Sequence, residues 1–132
     1  MFLGSYRPSF NNLTRRIALP KKIRDYLATS EVILSFGFEK CIFGFDIKTW
    51  EKESEKRLGD PITERSARDV RRFFFSSAKH IRLDYQGRLV IPSDLLDYAK
   101  IQKPVIVGAG DHFEIWEEES WGGEIRRLQK VK

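Results

Sequence analysis

The stretch that decides the fold is Asp84–Pro92, which reads DYQGRLVIP. An earlier stretch, Asn12–Pro20, reads NLTRRIALP. An offset of 72 residues aligns the two prolines and pairs Arg88 with Arg16, and further matches follow downstream at an offset of 73. Chance explains one such pair but not an ordered series. The chain is therefore predicted to contain two copies of one half.

Each copy predicts a polar turn, a short strand and a short helix. Asn and Asp side chains hydrogen-bond their own downstream backbone, and Gly87 permits a positive φ. The apolar residues that follow each turn predict strands over Arg16–Leu19 and Arg88–Ile91. A proline cannot continue an inner strand but suits the first turn of a helix. Helices are therefore predicted over Pro20–Leu27 and Pro92–Ala99.

A pair of short strands then follows in each copy, Val32–Leu34 with Cys41–Phe45 and Pro104–Val107 with Phe113–Trp116. Strands of this length are not stable alone, so the halves are expected to bury their faces against each other in one small mixed barrel. Outside the repeat, the patterns predict helices over Asp46–Leu58, Ile62–Ala78 and Glu117–Lys130. The expected organisation is a single domain, 1–132, with repeat halves 5–46 and 78–117, a helical insertion 47–77 and a C-terminal helix 117–130.

Composition excludes several classes of protein. The chain has 132 residues, near the size of one domain, with 41% hydrophobic and 33% charged residues. It contains no apolar run of the roughly 18 residues that a membrane span needs. One cysteine cannot form an internal disulfide, which is typical of the cytoplasm, and one cysteine with two histidines makes a zinc site improbable. No metal or cofactor is expected.

The positive charge is concentrated at one end of the chain. The net charge is +5, and residues 1–30 hold six basic side chains against one acidic one, whereas the remainder is balanced. A localised basic patch is expected of a protein that binds a polyanion, and chance clustering on a solvated surface is the alternative.

The order of these motifs resembles the MraZ family, a family of bacterial transcription regulators with two AbrB-like halves in one chain. The resemblance rests on the Met1–Gly4 start, the two turns that end in proline, and Phe113–Glu117, which reads FEIWE. It implies an α+β fold, an AbrB-like swapped-hairpin small β-barrel of two pseudo-twofold-related repeats with accessory helices. It also implies a ring-shaped homo-oligomer. Its expected partner is promoter DNA of the division and cell-wall gene cluster, bound at tandem short repeats, with repression the expected outcome.

The first copy departs from the family pattern. Asn12 stands where the family has Asp, and Arg15 takes the place of a small or polar residue. The loss of a carboxylate beside Arg16 makes this turn more positive, which favours either phosphate contact or looser base selectivity.

These considerations assign a set of DNA-binding residues. Arg15 and Arg16 are expected at base edges, with Asn12 and Thr14 as polar readers. The following helix is expected to contact phosphates through Lys21, Lys22 and Arg24. In the second copy Arg88 has Asp84 beside it, and this pair is expected to stabilise the barrel more than to read DNA.

Other functions were weighed against this one. Cys41 with His80 or His112 could serve a hydrolase, but the chain has no nucleophile elbow or phosphate loop, so no enzyme and no small-molecule substrate are expected. His112 is expected to be a surface turn residue. The alternatives are an AbrB-like antitoxin or a non-specific nucleic-acid- or protein-binding module. The predicted location is the cytoplasm, in association with the nucleoid.

Overall fold

The computed structural model describes residues 1–131. Its strands are β1 (Ser5–Tyr6), β2 (Phe10–Asn11), β3 (Arg16–Ala18), β4 (Glu31–Phe36), β5 (Ile42–Phe45), β6 (Lys79–Arg82), β7 (Arg88–Val90), β8 (Pro104–Gly108) and β9 (Phe113–Glu117). Its helices are α1 (Lys21–Arg24), α2 (Ile47–Leu58), α3 (Arg65–Ser77), α4 (Ser93–Ala99) and α5 (Glu118–Lys130). The fold is therefore of the mixed α+β class.

The strands form two sheets in which the halves of the chain interleave. The larger sheet has the order β1-β8-β9-β5-β4-β6, and the smaller one has the order β2-β3-β7. The hairpin β4–β5 of the first half pairs with β6 and β9 of the second half, while β8 pairs with β1 of the first. Neither half could form these sheets alone.

The pairing of β3 with β7 is symmetric about one residue pair. Ile17 lies opposite Leu89, and Arg16 and Arg88 lie at equivalent positions on either side of it. The flanking hydrogen bonds repeat the symmetry: Leu19 N–H donates to the Gly87 carbonyl at 3.0 Å, and Ile91 N–H donates to the Arg15 carbonyl at 2.9 Å. All of these pairs agree with the 72-residue offset.

The large sheet separates two apolar cores. Its first face packs on the small sheet and on α1 and α4, around Ile17, Leu89 and Phe113. Its second face packs against α2 and α3, around Phe43, Phe74 and Trp116. Side chains alternate between the faces along each strand, as β8 shows by placing Ile106 in the first core and its two neighbours in the second.

Most predicted elements are present, with small changes at their ends. The helix predicted over Ile62–Ala78 covers Arg65–Ser77, and α5 continues through Gly122 and Gly123 without a break. The predicted helix Pro20–Leu27 is shorter, Lys21–Arg24. Strands β1, β2 and β6 were not predicted, and the hydrogen bonds define two sheets where one mixed barrel was expected.

Among residues 1–131, no helix is both long and apolar enough to cross a bilayer. Nor do three or more histidine, cysteine or carboxylate side chains gather anywhere in this described part as metal ligands would.

Candidate nucleic-acid interface

Two arginines share the exposed face of the β3–β7 ribbon. Ile17 and Leu89 point into the core, so the residues on either side of them point outward. Arg16 lies opposite Val90, and Arg88 lies opposite Ala18. Such diagonal neighbours are about 7–8 Å apart in an antiparallel pair. The ribbon therefore presents two guanidinium groups beside a small apolar patch.

The second turn holds Arg88 through Asp84. The Asp84 Oδ1 atom accepts hydrogen bonds from the backbone N–H groups of Gln86 and Arg88, at 2.8 and 2.9 Å. Its Oδ2 atom accepts the Arg88 Nε–H at 3.0 Å, and both side chains are partly exposed. The bond from the Arg88 backbone N–H is the main cause that lowers the pKa of Asp84. The Arg88 charge is thus partly neutralised at neutral pH.

The first turn is one residue longer, which corrects the role expected of Asn12. The residue that caps this turn is Asn11, whose Oδ1 accepts the N–H groups of Leu13 and Thr14 at 2.9 and 3.1 Å. Asn11 lies opposite Arg16 at the end of β2, as Asp84 lies opposite Arg88. Asn12 is exposed within the turn. The extra residue was hidden because the alignment allowed no gap before the motif arginine.

Arg16 is the freer of the two ribbon arginines. It is exposed and forms no ion pair with any residue between 1 and 131. The amide of Asn11 brings no charge to neutralise it. The expected asymmetry between the two turns is therefore present in the geometry, although Asn11 rather than Asn12 accounts for it.

Arg15 occupies a backbone position that favours glycine. Its φ is +60°, and Gly87 has a φ of +76° at the equivalent position of the second turn. A non-glycine residue in this left-handed region costs of the order of 1 kcal/mol or more. Arg15 is therefore retained at a cost in stability, which is typical of a residue with a function.

We expect Arg15→Gly to stabilise the fold by about 1 kcal/mol, because glycine adopts a positive φ without strain. The same change should weaken DNA binding, since it removes one charge. Urea unfolding followed by circular dichroism measures the first effect, and fluorescence anisotropy with labelled DNA measures the second. Thr14→Gly is the matched control: Thr14 has no positive φ, so this change should destabilise the turn. A destabilised Arg15→Gly protein would contradict the assignment.

Each turn lies beside a helix of the other half. The second turn borders α1, and a Cβ atom at Gly87 would lie 2.5 Å from the Arg24 Cδ. The first turn borders α4, where Asn12 and Arg15 share a groove with Asp97. The basic helix of the first half is therefore placed next to the arginine turn of the second half.

The remaining predicted residues surround the ribbon. Arg24 donates its Nε–H to the Leu19 carbonyl at 3.1 Å, so it supports the second turn as well as adding charge. Lys22 is exposed, and Lys21 is exposed and pairs with Asp25 at 3.1 Å. At the turn tips, Leu13 and Tyr85 are each 94% exposed. Sequence patterns did not single out these two tips, because an exposed apolar residue shows only in three dimensions.

Cys41 does not form a nucleophilic site with a histidine. Its side chain is fully buried in the second core, and burial raises the pKa of its thiol far above the usual range. His80 is exposed on β6 and lies 3.4 Å from Glu31. A protonated, buried thiol is a poor nucleophile.

Comparison with known proteins agrees with the arrangement of two interleaved halves. The chain matches the profile of a family described as "MraZ protein, putative antitoxin-like" in two successive segments, residues 1–73 and 74–131. The chain belongs to the MraZ family. The junction between the two MraZ segments falls within α3.

Curated relatives cover nearly the whole chain. The protein named transcriptional regulator MraZ from Caldicellulosiruptor saccharolyticus is 40% identical over 126 residues, which is 95% of this chain and 87% of the relative. The proteins of the same name from Halothermothrix orenii and Caldicellulosiruptor bescii are 38% and 40% identical over the same shares. Their name is that of a MraZ regulator and not of an enzyme, in agreement with the sequence-based expectation.

Proposed function

We propose that this chain is a sequence-specific DNA-binding transcription regulator that reads DNA with the β3–β7 ribbon and its two turns. The observation that carries the proposal is the outward face on which Arg16 and Arg88 lie together. The major groove of B-form DNA admits a two-stranded ribbon, and an arginine can hydrogen-bond guanine there through two N–H groups. Membership of the MraZ family supports a role in transcription.

The proposed contacts divide into two kinds. Arg15 and Arg16, with Asn12 and Thr14 in the same turn, would approach base edges. Lys21 and Lys22 would contact phosphates, which fixes the orientation of the protein without reading sequence. Arg24 would add a phosphate contact through the N–H groups that the Leu19 carbonyl leaves free. Arg88 would contribute less, because Asp84 already engages it.

The proposed architecture is a single domain, 1–132, in the form of an AbrB-like swapped-hairpin barrel. Its repeat halves would be 5–46 and 78–117, with the insertion 47–77 and the C-terminal helix 117–130 outside the repeat. Support comes from the interleaving of the halves, since β4 pairs with β6 and β8 pairs with β1.

One ribbon offers few contacts, so we propose that a ring-shaped homo-oligomer repeats it at a regular spacing. Linked weak sites bind together through effective concentration, and tandem short repeats in DNA would match them. The proposed targets are such repeats in the promoter of the division and cell-wall gene cluster, with repression as the outcome. The protein would then act in the cytoplasm, on the nucleoid.

A binding experiment with the DNA upstream of its own gene tests this function. We expect that DNA to bind much more tightly than a shuffled sequence of the same composition, and affinity to rise steeply with the number of repeats. Raising the salt from about 50 to 200 mM should weaken binding by about a thousandfold or more if several phosphates are neutralised. Equal binding to both DNAs would reduce the function to non-specific nucleic-acid affinity. No binding to either would favour the antitoxin-like or protein-binding alternative.

A further inference from the structure

An aromatic cavity of about 220 Å³ lies on the far side of the large sheet from the ribbon. It is enclosed by β5, α2, α3 and the loop before β9. Its apolar walls are the side chains of Phe38, Phe43, Phe45, Trp50, Phe74 and Phe75. An engineered apolar cavity of about 150 Å³ in another protein binds benzene, so this space suffices for one substituted ring.

The charged groups at the cavity are already paired with one another. Arg57 lies 3.5 Å from Glu53, one turn apart on α2. His112 has both ring nitrogens engaged, Nδ1 with Asp111 and Nε2 with Glu114, each at 2.8 Å. A charged ligand would have to break these pairs, so the cavity suits a neutral molecule.

His112 was expected to be a surface turn residue, and this expectation is wrong. Its side chain is only 19% exposed, and its ring packs against Phe43 and Phe45 with centroids 4.8 and 5.6 Å apart. It presents the face of its ring to the cavity, since its nitrogens are occupied.

One polar atom of the lining has no partner. The Ser54 Oγ is buried and makes no hydrogen bond to any of residues 1–131. A buried hydroxyl without a partner is unusual in a folded protein, because it loses its bonds to water and gains none. A ligand hydroxyl in the cavity would supply the missing bond.

We propose that this cavity binds a small neutral molecule with one aromatic ring and one hydroxyl group. The ring packs among the phenylalanines and Trp50, and the hydroxyl bonds the Ser54 Oγ. This site is separate from the proposed DNA interface, so its existence does not depend on DNA binding.

Phenol and toluene are matched probes, because they share size and shape and differ in the hydroxyl. Calorimetric titration of the full chain should show phenol binding about fivefold more tightly than toluene, as expected from one net hydrogen bond. Ser54→Ala should bring the two affinities to the same value. Ser54→Leu, which fills the cavity, should abolish binding of both. Ser76→Leu is the control: Ser76 is exposed on α3, and both affinities should stay unchanged.

The location is checked by soaking crystals with 4-bromophenol and finding bromine by its anomalous scattering. A bromine atom between α2 and α3, lost in the Ser54→Leu protein, supports the proposal. Absence of phenol binding at millimolar concentration would overturn it, as would bromine elsewhere or only at crystal concentration. A cavity filled by a side chain of a second copy in those crystals would also overturn it.

Discussion

Arg16→Ala should cause the largest loss of DNA affinity of any single substitution on the ribbon. Arg16 is exposed and unneutralised, so its guanidinium is available to a base or phosphate. An arginine that hydrogen-bonds guanine contributes about 1–3 kcal/mol, or roughly 5- to 150-fold for each contact. A ring would multiply the effect. Fluorescence anisotropy with the upstream DNA measures it, together with the change in the salt dependence.

Two comparisons locate the effect at Arg16. Arg88→Ala should lose less, because Asp84 holds that side chain at 3.0 Å. Arg65→Ala removes the same charge from α3, which packs on the other face of the large sheet, and should leave binding nearly unchanged. Loss of equal size in all three proteins would show that only overall charge matters.

Asp84→Asn extends the same experiment. An asparagine can still accept the two backbone bonds of the turn, as Asn11 does, but it no longer neutralises Arg88. We expect tighter binding, mainly to unrelated DNA, and a larger penalty for Arg88→Ala in this background. Unchanged binding would mean that Arg88 does not approach DNA.

Phe113→Ala should cause the largest loss of stability. Phe113 is fully buried at the centre of the first core, where its ring packs edge-on against Phe2 with centroids 5.6 Å apart. Truncation of a buried phenylalanine costs about 3–5 kcal/mol. Most domains have only 5–15 kcal/mol of unfolding free energy, so the variant should unfold at much lower urea concentration. Tyr85→Ala is the control, since its side chain is 94% exposed.

Gly44 provides an internal test of this packing. It lies opposite Phe113 in the pairing of β5 with β9, and a Cβ atom there would lie 2.3 Å from the Phe113 ring. Gly44→Ala alone should cost about 1–3 kcal/mol through overpacking. In the Phe113→Ala protein the same change should cost almost nothing. Additive losses in the double variant would mean that the two positions are not in contact.

The repeated motif alone predicts much of the fold. Strands β3 and β7, the two helices after them and both hairpins follow from proline, glycine and apolar spacing, which act within a few residues. Strands β1, β2 and β6 escape prediction because they are short and gain their stability from partners far along the chain. The position of Ser54 against an aromatic cavity has no local signal either, since serine on a charged helix reads as solvent-exposed.

For the interface, the sequence establishes the duplication, the arginine of each turn and the basic first helix, because each depends on residue type and local spacing. It does not establish which turn that helix serves. Interleaving places α1 beside the second turn and leaves the first turn beside α4 with its acidic Asp97. The register of β3 against β7 also brings two arginines that are 72 residues apart onto one face. Such neighbours arise from pairing between distant strands, for which a linear pattern carries no distance information.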